Sequence, residues 1–284
     1  SARVAIVVLI LLWVAALAFR APIRVRYWAW RMARAETPAV RLDYANRIAL
    51  YPDKAVRPMA SLLDHPDATV RLYAVEILGR ARVGQAQPAL LAAMRDSEPT
   101  VRQAAALALA RRPGEQAIEA LAPMLEDPDP VVVCSALIAL ARVDSPRAGR
   151  LIAAALATAV SEMVLVQAIE SAGLAGDSRA VPALIDRLDD LRPVTVLPAA
   201  QRAIERFLRH QAAGPMGPNS PPGVVATAPA AGTIADHAAR ALGSLTGESF
   251  GFQSSDPPAR RDQVIQAWRR WWDQVGRFRV GGVL

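Results

Sequence analysis

Between Ala55 and Leu140 the chain alternates short apolar runs at helical spacing with acidic, proline-bearing breaks, and the alternation keeps a fixed length. Val70, Val101 and Val132 stand 31 positions apart, and so do Leu78, Leu109 and Leu140. The breaks before them read Asp64-His65-Pro66-Asp67, Asp96-Ser97-Glu98-Pro99 and Glu126-Asp127-Pro128-Asp129-Pro130. Proline cannot sit inside a helix, and an aspartate just ahead of a helix caps its amides and meets the positive end of its dipole. Each period therefore predicts two short helices joined by a capped turn. Units of this length bury their apolar faces against their neighbours, which predicts an all-α solenoid. Ala74, Ala105 and Ala136 recur with the pattern and are expected where helix axes approach closely.

The period extends in both directions with decreasing regularity. Val40 to Leu50 repeats Val70 to Leu78 thirty positions earlier, behind the cap and proline Thr37-Pro38. The basic aromatic stretch before it is the candidate for the first helix of that degenerate unit. A fourth unit is expected from Ala148 to Gly173 and a fifth from Val181 to Phe207, giving about five helix pairs over residues 37–213. Residues 214–232, rich in Gly and Pro, read as a loop, and residues 233–284 as a helical cap. That cap begins at Thr233 and ends in a helix with Val264, Ile265, Trp268, Trp271, Trp272 and Val275 on one side.

The amino-terminal pattern is different. Val4 to Phe19 is an unbroken apolar run that reaches about 24 Å as a helix, at the short limit for a bilayer core of about 30 Å. Residues 1–21 are expected to be a transmembrane anchor. The alternative is a signal-peptide core with Ala16-Leu17-Ala18 as the small-residue site, against which a single leading Arg3 counts. Residues 22–36 then read as a juxtamembrane helix whose basic and aromatic side chains suit the interface. Arg20, Arg24, Arg26, Tyr27, Trp28, Trp30, Arg31 and Arg34 are the expected membrane-interface residues, with anionic lipid as their partner. Arginines after the run outnumber those before it, which predicts a solenoid on the cytoplasmic side of a bacterial inner membrane, with the periplasm as the alternative.

Charge changes the functional picture. The net charge is +7; residues 1–36 carry +5 and residues 259–284 carry +4, leaving 7 − 5 − 4 = −2 for the rest. A nearly neutral body argues against a nucleic-acid groove. Chemistry is equally sparse. His65, His210 and His237 lie in different segments, none followed by Glu, and His65 is better placed to cap a turn than to bind metal. Cys134 alone permits no internal disulfide and reads as a small buried hydrophobe. Phosphate loops, zinc spacings and nucleophile elbows are absent. No catalytic residue, metal or cofactor is expected.

Pro66-Asp67-x-x-Val70-Arg71 with Ala74 and Leu78, Pro99-Thr100-Val101-Arg102 with Ala105 and Leu109, and Asp127-Pro128-Asp129-x-x-Val132 with Ala136 and Leu140 resemble the HEAT-repeat family in its short bacterial, lyase-type form. The resemblance covers roughly residues 37–210 and implies a protein-binding surface. It also implies a stacked Asp/Arg ladder at Asp67, Arg71 and Arg102, interrupted where Val133 replaces the next arginine. The expected function is a membrane-anchored scaffold or accessory subunit with other membrane proteins as partners, Met216, Val224, Val225, Arg269 and Arg270 being candidate contacts. A lyase-like or cofactor-attachment factor of the same repeat class is the alternative, and a nucleic-acid-binding solenoid the weakest reading.

Overall fold

The structure is a computed structural model that describes residues 21–82, 84–110, 114–194 and 232–276. The described residues are helical apart from turns and one isolated bridge between Pro193 and Thr233. They fall into two compact units that divide after Ala108.

In the first unit, residues 21–33 form α1, followed by α2 (Pro38–Ala49), α3 (Pro52–Ser61), α4 (Ala68–Leu78), α5 (Gln87–Ala93) and α6 (Pro99–Leu109), whose last residue lies past the division. The expected start signals operate. Thr37 caps α2 through the amide of Val40, and Asp67 caps α4 through the amide of Thr69 at 2.8 Å. Val25, Trp28, Ala29 and Met32 are buried on α1, at i, i+3, i+4 and i+7, so one stripe of this helix packs inside the protein. Helix α2 buries Ala45 and Ile48, the latter standing where Leu78 stands in the next repeat. Helices α1 and α2 are thus the helix pair of the degenerate first repeat. Val40 departs from the pattern and is exposed, whereas its counterpart Val70 is fully buried.

The second unit contains α7 (Glu115–Leu121), continued by a 3-10 turn at Ala122–Glu126, then α8 (Pro130–Leu140), α9 (Pro146–Thr158) and α10 (Glu162–Ala175). Helix α11 (Val181–Asp186) lies between 3-10 turns at Ser178–Ala180 and Arg187–Asp189. Two further helices, α12 (Ile234–Thr246) and α13 (Pro258–Trp271), end in a π-helical turn at Trp272–Gly276. Asp129 caps α8 at the amide of Val131, and α9 and α10 form the fourth expected pair. Helix α11 opens the fifth, but its expected second helix lies outside the described residues. Helix α12 packs on α10 and α11. Its start is a capping box in which Thr233 and Asp236 bond each other's amides, and Ser254 bonds the same carboxylate.

The seam between α10 and α12 depends on Gly173. A Cβ there would lie 3.1 Å from the Cα and 3.2 Å from the Cβ of Ala241. Alanine gains about 1 kcal/mol of helix propensity, which offsets a small displacement. Leucine cannot fit without moving α12. We expect Gly173→Ala to be close to neutral and Gly173→Leu to lose about 1–3 kcal/mol in urea denaturation. Equal stability of the two variants would show that this seam is not close-packed.

The apolar face expected on the last helix is only partly buried. Val264, Ile265 and Trp268 are buried, and Phe250 meets Trp268 edge-on at 4.7 Å. Trp271 and Trp272 are half-buried, and Val275 is exposed. Across the chain the repeated core positions keep their promise: Val70, Val101 and Val132, and Ala74, Ala105 and Ala136, are fully buried.

Candidate functional site

The arginines that follow Val40, Val70 and Val101 brace the turns before their own helices, and two of them also reach the next turn. Arg41, Arg71 and Arg102 each donate to the carbonyl six residues earlier, those of Ala35, His65 and Asp96, at 3.1, 2.9 and 2.9 Å. The side chain thereby closes the turn before its own helix. Arg71 then forks onto Asp96 of the following turn, Nε to Oδ2 at 2.7 Å and NH2 to Oδ1 at 2.8 Å, with both side chains about nine-tenths buried. Arg41 reaches forward in the same way to Asp67 at 2.8 Å.

These pairs correct the expected register. Asp67 aligns with Glu98 in the 31-residue period, not with Asp96, so the ladder carboxylate changes position between turns. The place aligned with Asp96 and Asp127 is held in the second repeat by His65. Asp96 and Asp127 accept from the amides of Glu98 and Asp129, and His65 Nδ1 accepts from Asp67 at 3.1 Å in the same arrangement. An imidazole whose Nδ1 accepts the turn amide can shape that turn but offers no carboxylate to an arginine, and Arg41 pairs with the capping carboxylate of Asp67. Val133, in the arginine position of the next repeat, is buried instead.

A second feature of the first unit faces outward. Helix α3 places Lys54, Arg57, Pro58 and Ser61 on one stripe, opposite to buried Ala55 and Met59. Helix α1 presents Pro22, Arg26, Ala29, Trp30 and Ala33 along the facing stripe. Between them lies a groove of about 960 Å³, also lined by Ile23, Arg34, Leu62 and His65. Its lining carries Arg26, Arg34, Lys54 and Arg57 and no carboxylate. None of these four cations is ion-paired within the described residues. Arg34 lies over the Trp30 ring at 4.7 Å, a cation–π contact that leaves its guanidinium edge open. Pro58 cannot donate to the carbonyl of Lys54, so α3 runs on past it with one backbone hydrogen bond missing beside the groove.

The expected interface residues divide accordingly. Arg24, Arg26, Tyr27, Trp30, Arg31 and Arg34 are exposed. Tyr27 and Trp30 stack at 6.3 Å, and Arg31 lies 5.5 Å from the Tyr44 ring. Trp28 differs: it is 9% exposed, packs against Tyr51 at 6.1 Å and carries Arg24 on its ring at 4.9 Å. It belongs to the α1 core stripe and does not reach outward. Arg20, Met216, Val224 and Val225 lie outside the described residues. Arg269 and Arg270 are exposed on α13, and Arg269 sits 3.8 Å from both Asp186 and Asp189, so part of its charge is used within the second unit. Lys54, Arg57 and His65 were not expected as groove residues. The spacing of three between Lys54 and Arg57 on α3 was visible in the sequence, but not the helix opposite, and His65 lies beyond the end of α3.

No group of three or more metal-ligating side chains occurs among the described residues. Burial pushes the Cys134 thiol up to about 12, which keeps it protonated, and the nearby Asp129 adds to the shift. His237 has a neighbour that its sequence position did not suggest: buried on α12, its Nδ1 lies 3.3 Å from Glu170 Oε1 on α10. Burial also pushes Glu76 up to about 7, with Arg80 opposing the shift.

The HEAT-repeat family model matches residues 56–141 and 118–205, together more than half of the chain, and the chain belongs to that family. No curated protein matches it in sequence. Among solved structures, human deoxyhypusine hydroxylase in complex with glycerol is similar at 15% identity and a TM-score of 0.39, over 91% of this chain and 99% of that one. An engineered protein is similar at 18% identity and the same TM-score of 0.39, over 87% of this chain and 67% of that one.

Proposed function

We propose that this chain is a non-catalytic HEAT-repeat scaffold held at a membrane, an accessory subunit that presents its repeats to protein partners. The observation that carries the reading is the exposed face of α1. Arg24, Arg26, Tyr27, Trp30, Arg31 and Arg34 point outward from a helix whose other stripe is fixed in the protein core. Such a face suits the boundary between headgroups and water, where tryptophan and tyrosine concentrate and each basic residue contributes about 1 kcal/mol. It follows directly on the apolar run Val4 to Phe19, which lies outside the described residues. Among the described residues no helix is long and apolar enough to cross a bilayer, so the anchor rests on the sequence of that run. The arginine bias after the run supports a cytoplasmic position for the repeats.

Alkaline carbonate extraction of membranes from cells expressing the full chain tests the reading. The protein is expected to remain in the pellet, and affinity purification in mild detergent is expected to bring down a stoichiometric membrane protein. Release into the supernatant would rule out the anchor. A monomer recovered without a partner would rule out the scaffold assignment.

A further inference from the structure

We infer that the groove between α1 and α3 binds the phosphate-bearing headgroup of one anionic phospholipid. The inference rests on the membrane reading above and adds a defined site to it. Four cations converge on the groove, Arg26 and Arg34 from α1 and Lys54 and Arg57 from α3, with no carboxylate in the lining. Like charges brought together on two facing helices repel one another, and no internal anion among the described residues relieves them. An external anion does. The lining also carries the apolar side chains of Ile23, Ala29, Trp30, Pro58 and Leu62. A free phosphate would leave those side chains in water, whereas the glycerol and upper acyl segments of a lipid would cover them. The volume of about 960 Å³ is in the range of small-molecule sites.

Position selects lipid over an acidic peptide. Pro22, which lines the groove, is three residues after Phe19, the last residue of the apolar run. Three residues span at most about 11 Å even when fully extended. If the run ends at the edge of the hydrocarbon, the groove lies at headgroup depth. Arginine and lysine then divide the work: the planar guanidinium groups match two phosphate oxygens at once, and Lys54 supplies a compact charge.

The test uses the full chain in mild detergent micelles, with bound phospholipid counted by native mass spectrometry after delipidation. Wild type is expected to retain one phosphatidylglycerol in preference to phosphatidylcholine. The triple variant Arg26→Gln/Lys54→Gln/Arg57→Gln is expected to lose that retention by about a hundredfold. These side chains are exposed and outside the core, so circular dichroism and the thermal midpoint of the variant should match wild type. Equal retention of the two lipids by wild type, or undiminished retention by the variant, would overturn the inference. So would displacement of the lipid by an equimolar acidic amphipathic peptide, which would assign the groove to a protein segment. Carbonate extraction separates the two readings: the triple variant should stay in the membrane pellet, because the apolar run is intact. Loss of wild type from the pellet would refute membrane residence without altering the micelle measurement.

Discussion

Ala105→Glu is expected to abolish the cooperative unfolding transition at ordinary temperature, with a loss of about 4 kcal/mol or more. Ala105 is fully buried on α6, and Val101, Ala104, Ala106, Ala108 and Leu109 of the same helix are buried with it. Residues 104–110 are all buried, so a glutamate at position 105 has no adjacent solvent-facing position to reach. It must ionise without a partner, hold a proton at a cost, or push the helix out of register, and each outcome removes apolar contacts made by neighbouring turns. Ala105→Gly separates charge from packing, since it removes only a methyl group and about 1 kcal/mol of helix propensity. Urea denaturation followed by far-ultraviolet circular dichroism would compare the three proteins. A glutamate variant within 1 kcal/mol of wild type, roughly the scale of an ordinary surface change, would show that the face carrying Ala105 is not in the core.

The repeat core was readable in the sequence because burial in a solenoid follows local periodicity. A residue 31 positions from a buried valine meets the same surroundings, and Val70, Val101 and Val132 obey this without exception. The caps at Thr37, Asp67, Asp129 and Thr233 were readable for a similar reason, since each acts within a few residues of itself. What depends on the facing repeat was not. The ladder partner of Arg71 is Asp96 and that of Arg41 is Asp67, two positions that differ by two residues within the period. His65 made the difference, because it keeps the turn while removing the charge.

The groove was half visible. Hydropathy marked α1 as basic and aromatic but did not say which tryptophan turned inward. The spacing of Val25, Trp28, Ala29 and Met32 carries that information, as all four lie on one helical stripe. Lys54 and Arg57 lack any such mark, because their meaning comes from the helix across from them. The His237 and Glu170 contact is hidden for the same reason, since α10 and α12 are joined only in space.

Arg71→Met is expected to cost about 3–5 kcal/mol near neutral pH, because it strands a buried carboxylate as well as two turn carbonyls. Arg71 makes four hydrogen bonds, two to Asp96 and one each to the carbonyls of His65 and Pro66. Burial alone would raise the Asp96 carboxyl. The hydrogen bonds from Arg71 and from the Glu98 amide, with the charges of Arg71 and Arg102, outweigh it and hold Asp96 below its ordinary value. A carboxyl depressed by folding stabilises the protein above the unfolded-state value of about 3.9 and loses that contribution as pH falls through the lower folded-state value. Wild type is therefore expected to weaken on acidification below about pH 4. In Arg71→Met the same carboxyl loses its main counter-charge while burial remains, so protonation should relieve the variant, and its deficit relative to wild type should shrink at low pH. Lysine at position 71 should recover little, since it cannot fork onto both oxygens and reach the turn carbonyls together. The double change Arg71→Met/Asp96→Leu should recover much of the loss at neutral pH, because replacing both members of a buried pair with apolar groups removes the stranded charge. Urea midpoints at pH 7 and pH 3 for these four proteins decide the matter. A deficit in Arg71→Met that does not change with pH would mean that the turn carbonyls, and not Asp96, account for the importance of this arginine.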